Sequence, residues 1–246
     1  MIIRSIEVSP QLYARFGGAL YLVIILFGAF SEGFVTSKLV VAGDVTATAR
    51  HILAAPGLWQ TSVAANVLVV LCAMPLLWIE YLLLRPVSPR LALLSLLLNL
   101  VSLAVEAVSK VFLLLVLPTL SNAAYRPDLG PQLAHFALQA HDRAFNIALL
   151  FFGGTCLVNG YLLFKSGYFP KALGGLLQVA GGSYLVACWA ALFAPTLANR
   201  LLPGLLLPPL VGESALCLWL LVKGVNRAQW HAQLNQHRAL SAGVPA

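Results

Sequence analysis

The sequence predicts an all-α integral membrane protein, a six-helix transmembrane bundle with both termini in the cytoplasm. Three observations support this prediction: the composition, the length of the apolar segments and the distribution of positive charge. Of the 246 residues, 60% are hydrophobic and only 9% are charged, whereas soluble domains have about 25% charged residues. A soluble fold of this size cannot bury so much apolar surface, so lipid must surround much of the chain.

Six apolar segments are long enough to cross a hydrocarbon core about 30 Å thick, which takes roughly 20 helical residues. Only helices and closed barrels satisfy the backbone in lipid, and these segments lack the alternation that is typical of barrel strands. The predicted spans are 13–34, 61–84, 91–117, 141–164, 172–193 and 204–222.

The connections are short except for residues 36–60, where Asp44 can cap a short helix that runs to Leu53 and lies at the membrane interface. The remaining connections are 85–90, 118–131, 165–171 and 194–203. No soluble domain interrupts the pattern. We therefore expect a single membrane domain, residues 1–225, and a short, partly frayed cytoplasmic tail, residues 226–246.

The positive charges predict the orientation. With the N-terminus inside, nine Lys and Arg residues fall on the cytoplasmic side of the predicted spans and four on the outer side, as expected for both termini inside. The net charge of +7 could indicate a nucleic-acid partner, but the basic residues are spread singly between apolar runs. Membrane lipids are therefore the expected surroundings, and no nucleic-acid partner is expected.

The third predicted helix carries a polar stripe at three- and four-residue steps, which places its members on one face. A charged side chain in a membrane helix costs roughly 2.5–3.5 kcal/mol, so the stripe should face the bundle interior or a cavity. Lys110 follows Glu106 by four residues and can pair with it. Helix-packing contacts are the alternative role. The stripe comprises Ser95, Asn99, Ser102, Glu106 and Ser109.

The fourth predicted helix begins with His141, Asp142 and Arg143 and continues to Asn146. Histidine and aspartate together can perform acid–base chemistry or bind a metal. However, His135 and His141 are six residues apart and fall on different helix faces, so no zinc site of the i, i+4 type is expected. A capped helix start, with Asp142 offsetting Arg143, is the structural alternative.

Three further glutamates lie in predicted spans. Glu32 is near the outer end of the first, and Glu213 follows Pro208 and Pro209 in the last. Broken helices of this kind often line substrate sites, although proline is also common at a helix start. Glu80 is close to Arg85 in sequence, which favours a pair at the surface.

The topology brings several charged side chains to a similar depth in the outer half of the membrane. Isolated in lipid, each would cost several kcal/mol, so we expect them to converge in one polar cluster. Its carboxylates outnumber its bases once Glu213 is included, which favours a polar or cationic ligand. The expected cluster comprises Glu32, Glu106, Lys110, His141, Asp142, Arg143 and Asn146, with Glu213 slightly deeper. No metal ligand set is assigned, and the sequence identifies no cofactor.

Small residues in the fifth predicted helix indicate close helix packing. Gly174 and Gly175 are repeated seven residues later by Gly181 and Gly182. Small residues allow membrane helices to approach each other closely.

Several strings resemble one bacterial membrane family of unknown function. They include Ala14-Arg15 with Gly18 and Tyr21-Leu22, Gly43-Asp44 with Thr46, Phe151-Phe152-Gly153, Tyr184-Leu185, and Gly212-Glu213 with Leu218-Trp219. In combination they are similar to the domain-of-unknown-function family 4386 over nearly the whole chain. The resemblance implies a multi-pass protein of the bacterial plasma membrane and marks Arg15, Asp44, Thr46 and Glu213 as matching positions, but it implies no activity.

Three functional hypotheses follow. The first is a protein that binds or transports a small polar, cationic or lipid-like ligand through the outer polar cluster. The second is a structural or accessory membrane protein without a ligand. The third is an intramembrane enzyme that uses the carboxylates and His141. Neither the reaction, if there is one, nor the oligomeric state can be derived from the sequence. A buried cavity would favour the first hypothesis, and a dry bundle with every charge paired would favour the second.

Overall fold

The structure, a computed structural model, describes residues 9–122, 125–126 and 128–241. Residues 1–8 and 242–246, the ends of the predicted domain and tail, lie outside the described residues. The predicted all-α class is confirmed, since the described regular structure is entirely helical. The helices are α1 (Pro10–Leu39), α2 (Val45–Ala54), α3 (Pro56–Leu84), α4 (Pro89–Ser121), α5 (Leu129–Lys165), α6 (Lys171–Phe193), α7 (Pro195–Leu205), α8 (Leu207–Val222) and α9 (Arg227–Ser241).

Within the described residues, five helices are long and apolar enough to cross a membrane, namely α1, α3, α4, α5 and α6. With 16 residues, α8 extends about 24 Å at 1.5 Å per residue, which is short for a core of about 30 Å. It passes the same criteria only together with α9, from which it is bent by 100°. The described residues thus form a multi-pass helical membrane protein with five candidate spans, or six if α8 and α9 together count as one.

Six of the described helices form a closed ring. Each of them packs against two neighbours, in the order α1, α3, α4, α5, α6, α8 and back to α1. Consecutive members run in opposite directions, so one end of the ring carries α2 and the other carries α9. We call these the α2 end and the α9 end. A hydrophobic cluster fills each end, and the side chains between the two clusters form the candidate site.

The contact between α5 and α6 depends on glycine. A Cβ atom added to Gly174 would lie 2.6 Å from the carbonyl oxygen of Gly160, and one added to Gly181 would lie 2.7 Å from the carbonyl oxygen of Gly153. The predicted close packing is confirmed for these two positions. It is wrong for Gly175 and Gly182, where an added Cβ would meet nothing within 4 Å.

The fourth predicted span begins twelve residues earlier than expected, at Leu129. The polar side chains before His141 ended the apolar run on which the prediction rested. The helix continues because Ala134, Ala137 and Leu138 are buried in the cluster at the α2 end, which also contains Ile52 of α2. Tertiary packing thus extends α5 past the hydropathy boundary.

Two segments expected to be irregular are helical. The connection predicted for residues 194–203 forms most of α7, and the predicted tail contains α9. The Trp230 side chain is fully buried, and its Nε1 donates to the Leu83 carbonyl at 3.2 Å. This contact packs the first part of α9 against the end of the bundle, so the tail begins as a packed helix. The expectation of fraying concerns the end of the tail, which includes residues 242–246 outside the described residues.

The short helix predicted after Asp44 is present as α2, and its position at the membrane interface stays a prediction. The Asp44 carboxylate accepts a hydrogen bond from the Ala47 amide at 2.8 Å, which confirms Asp44 as its N-cap. Gly43 precedes it with φ of 77°, a conformation that glycine adopts without strain. Thr46 is exposed in the first turn, and Arg15 is exposed near the other end of α1.

Candidate functional site

A cavity of about 350 Å³ lies inside the ring, between the two hydrophobic clusters. All six ring helices line it, and most of its wall is apolar. The polar side chains are concentrated in two groups, one toward the α2 end and one toward the α9 end. The polar lining residues are Tyr21, Glu32, Asn66, Glu80, Asn99, Ser102, Glu106, Lys110, Tyr184, Glu213 and Ser214.

At the α2 end, Lys110 and Glu106 form an ion pair along α4. Lys110 Nζ lies 3.5 Å from Glu106 Oε1 and 4.3 Å from the centre of the Phe145 ring. The Lys110 residue is only 3% exposed. The cavity wall therefore stabilises a buried ammonium group with one carboxylate and one aromatic face, since an aromatic ring attracts a cation through its quadrupole.

His141 reaches the same group from α5. Its Nδ1 lies 3.2 Å from the Ser109 carbonyl oxygen, and because a carbonyl only accepts, Nδ1 must carry the proton. Its Nε2 then faces Glu32 Oε1 at 3.9 Å. The two groups form an ion pair when the histidine is protonated. The structure thus brings together four residues of the expected cluster: Glu32, Glu106, Lys110 and His141.

Glu32 lies in a rare backbone conformation. Residues Ala29–Thr36 of α1 form π-helical turns, and π-helical segments frequently occur at functional sites. The segment is held to α3 by Ser31, whose hydroxyl donates to the Ser62 carbonyl at 3.1 Å. Thr36 Oγ1 donates to Glu32 Oε2 at 3.5 Å from the same segment. Both Glu32 and Asn66, the latter from α3, line the cavity.

Toward the α9 end, Glu213 is held by two tyrosines. Tyr184 donates to Glu213 Oε1 at 2.5 Å, and Tyr21 donates to Glu213 Oε2 at 3.1 Å. Each carboxylate oxygen thus accepts one hydroxyl, from α6 and α1 respectively. Glu213 lies in the second turn of α8, inside the ring rather than in the lipid-facing surface.

Glu80 completes the group at the α9 end. Asn159 Nδ2 donates to Glu80 Oε2 at 3.1 Å, and Ser95 donates to Asn159 Oδ1 at 2.6 Å. The surface position that we expected for Glu80 is wrong, because its carboxylate lines the cavity. The prediction rested on Arg85 being five residues away in sequence, and that separation does not determine which face of the helix Glu80 occupies.

The polar stripe of α4 faces inward, as predicted. Ser95, Ser102 and Ser109 are each at most 4% exposed, and Ser102 donates to the Ala148 carbonyl of α5 at 2.7 Å. Both roles considered for the stripe are present. Ser95 and Ser102 hydrogen-bond to residues of α5, while Asn99 and Glu106 line the cavity.

Three residues of the expected cluster lie outside the cavity. Asp142 and Arg143 are exposed, and the Asn146 amide donates to the backbone carbonyl of Asp142 at 2.8 Å. They follow His141 on α5 but project from other sides of the helix, because successive residues differ by about 100° around the axis. The expectation that they join the polar cluster is corrected accordingly.

Sequence reasoning missed three of the residues that hold the carboxylates, namely Tyr21, Tyr184 and Asn159. Both tyrosines stood within strings that carried the family resemblance, but nothing local indicated that they point toward Glu213. In the part of the chain that the structure describes, no three His, Cys, Asp or Glu side chains form a group that could hold a metal ion.

One family matches the chain. Its description is "Domain of unknown function (DUF4386)", and the match covers residues 16–224. Asp44, Thr46 and Glu213 lie within this range, and Arg15 lies immediately before it. No curated protein and no solved structure matches the chain.

Proposed function

The chain belongs to the domain-of-unknown-function family 4386, and we propose that it binds or transports a small organic cation with an apolar body. The observation that carries the proposal is the charge of the central cavity. Four glutamates line it, Glu32, Glu80, Glu106 and Glu213, and among the described lining residues Lys110 is the one permanent cation. With every carboxyl group ionised and histidine neutral, the lining carries an excess of three negative charges.

An excess of carboxylates inside a membrane bundle favours a bound cation. Two opposite charges 4 Å apart attract each other by about 4 kcal/mol at an effective dielectric constant of 20. Buried charges are therefore usually paired. A ligand that brings its own positive charge would satisfy the cavity, whereas an anionic ligand would be repelled.

The size and the walls of the cavity support an apolar body on that cation. Ligand sites typically occupy about 300–1,000 Å³ and combine apolar walls with a few placed polar groups, and the observed volume of about 350 Å³ lies within this range. The apolar wall includes Ile24, Leu103, Phe145 and Phe152. A ligand of this kind can also partition into membrane lipids, from which it can approach the protein.

A purely structural role explains the cavity less well. Asn99 and Ser214 line it, and the side chain of neither hydrogen-bonds to any residue within the described part of the chain. Both are partly exposed to the cavity, so their donors and acceptors are available to a molecule inside it. A bundle that only had to pack would gain by filling this volume with apolar side chains, so the retained polar lining favours a ligand.

The proposed location is the bacterial plasma membrane, with both termini in the cytoplasm. The family resemblance supports the membrane, and positive charge supports the orientation. At the α9 end, the described Lys and Arg residues outnumber those at the α2 end. The first set comprises Arg15, Arg85, Arg90, Lys165, Lys171, Lys223 and Arg227, and the second comprises Lys38, Arg50, Arg126 and Arg200.

The proposal is tested with three probes that share one body and differ in charge. The full chain in lipid nanodiscs is titrated by calorimetry with 4-phenylbutylammonium, 4-phenylbutanol and 4-phenylbutyrate. We expect the ammonium compound to bind at least tenfold more tightly than the alcohol, and the carboxylate not to bind. Empty nanodiscs measure partition into lipid. Equal binding of all three probes, or no binding above that of empty nanodiscs, would contradict a cation site.

A further inference from the structure

The four carboxylates of the cavity are not equivalent, because they differ in the charge of their partners. At the α2 end, Glu106 pairs with Lys110 at 3.5 Å, and Glu32 faces His141 at 3.9 Å. At the α9 end, the hydrogen-bond partners that the structure describes for Glu80 and Glu213 are neutral amides and hydroxyls. Among the described residues, the protein therefore supplies cationic partners to the carboxyl groups at the α2 end and neutral partners to those at the α9 end.

The group at the α9 end is assembled from the whole ring. Each of the six ring helices contributes one side chain, and hydrogen bonds join these side chains into two groups of three. Each group contains one glutamate. The first comprises Ser95, Asn159 and Glu80, and the second comprises Tyr21, Tyr184 and Glu213. Carboxylates fixed by neutral donors are oriented before a ligand arrives, which reduces the ordering cost of binding.

The Glu80 carboxylate can accept further hydrogen bonds. Glu80 Oε2 accepts from Asn159, while Glu80 Oε1 accepts from no residue within the described ranges. A carboxylate can accept about four hydrogen bonds. Glu80 and Glu213 line one cavity, so their remaining acceptor sites are available to the N–H groups of a protonated amine.

The same cavity shows how an ammonium group is held. Lys110 combines a carboxylate at 3.5 Å with an aromatic face at 4.3 Å. The α9 end repeats these components, since Phe152 and Tyr184 form an edge-to-face pair with centroids 5.5 Å apart beside Glu213. Carboxylates and aromatic rings are also the groups that recognise ammonium ligands generally.

We infer that the ammonium group of a protonated amine binds between Glu80 and Glu213, with its apolar body directed past Asn99 toward the α2 end. This inference rests on the proposed function and makes it more specific. It moves the cation site from the cluster that the sequence indicated to a pair of glutamates toward the α9 end. Lys110 and His141 then balance the charge of the α2 end without contacting the ammonium group.

The test compares isosteric neutralisations at the two ends. Wild-type chain, Glu80→Gln, Glu213→Gln, Glu32→Gln and Glu106→Gln are titrated in nanodiscs with 4-phenylbutylammonium. We expect each substitution at the α9 end to raise the Kd at least tenfold, and each at the α2 end to raise it less than threefold. The matched control is Asp142→Asn, which removes an exposed carboxylate outside the cavity and should leave the Kd unchanged.

A second measurement uses the wild-type chain and so does not depend on the folding of a variant. Dicyclohexylcarbodiimide modifies protonated carboxyl groups in apolar surroundings, and a bound ammonium group favours the ionised, unreactive form. The modified glutamates are mapped by mass spectrometry with and without 4-phenylbutylammonium. Bound ligand should protect Glu80 and Glu213 and leave Glu32 as reactive as before.

The outcomes separate the two proposals. If the wild-type chain does not bind the probe, the proposed function fails. If it binds but the variants at the α9 end keep their affinity, or if protection appears at Glu32 and Glu106 instead, the cation site between Glu80 and Glu213 is overturned while the proposed function stands.

Discussion

Replacement of Gly174 by alanine should weaken the contact between α5 and α6. The new Cβ would lie 2.6 Å from the Gly160 oxygen and 2.6 Å from the Phe164 amide nitrogen, both of which are backbone atoms that cannot rotate away. Ordinary contact begins near 3.4 Å, so the helices must separate by about 0.8 Å. A gap of this size forfeits about a quarter to a half of the dispersion energy of each affected contact, and overpacking typically costs about 1–3 kcal/mol.

The neighbouring Gly175 provides a matched control. A Cβ there meets nothing within 4 Å, and both substitutions gain the same helix propensity, about 1 kcal/mol. The difference between the two variants therefore isolates the clash. The free energy of unfolding is measured by circular dichroism during titration of mixed micelles with sodium dodecyl sulfate. Equal stabilities of Gly174→Ala and Gly175→Ala would refute the close contact that the structure shows.

Three further results are expected. Glu213→Ala should destabilise the bundle by about 1–3 kcal/mol for each tyrosine hydroxyl that loses its acceptor. Glu213→Gln should cost less, because it keeps the volume and its amide oxygen accepts from one tyrosine while its amide nitrogen donates to the other, whose hydroxyl then accepts; equal melting temperatures of the two variants in detergent would argue against this role. Asp44→Ala should cost about 1 kcal/mol through loss of the N-cap, with Asp44→Asn nearly neutral, and equal losses in both variants would exclude capping as the cause. A reporter fused after Ala246 should be active only in the cytoplasm, and activity restricted to the outside would reverse the orientation.

The fold class could be predicted because it depends on local properties of the chain. A span of about 20 apolar residues has to be helical in lipid, since its backbone groups find partners only within the segment. The inward face of α4 could be predicted for the same reason, because the spacing from Ser95 to Ser109 is set by the helix itself. The cap at Asp44 is likewise local, since its partner is the amide of Ala47.

The boundaries of α5 and α9 could not be predicted in this way. Polar residues ended the apolar run before His141, yet packing against α2 makes the preceding residues helical. Similarly, the polar composition after Arg227 indicated a tail, while burial of Trp230 against α3 stabilises a helix. In both segments a few apolar side chains on one face determine the result, and hydropathy averaged over a window does not detect them.

By itself, the sequence determined that the chain is a membrane helical bundle and that its buried charges avoid lipid, because hydropathy and helical periodicity act over a few residues. Which charges meet was decided by the tertiary structure alone. Glu213 and Tyr21 are 192 positions apart, and Glu80 and Asn159 are 79 apart. Such pairs depend on the order of the helices in the ring and on the rotation of each about its axis, and these are set by contacts such as that between Gly160 and Gly174. The physical reason is that helix formation in lipid depends on local backbone hydrogen bonds, whereas the faces by which neighbouring helices contact each other depend on the packing of the whole bundle.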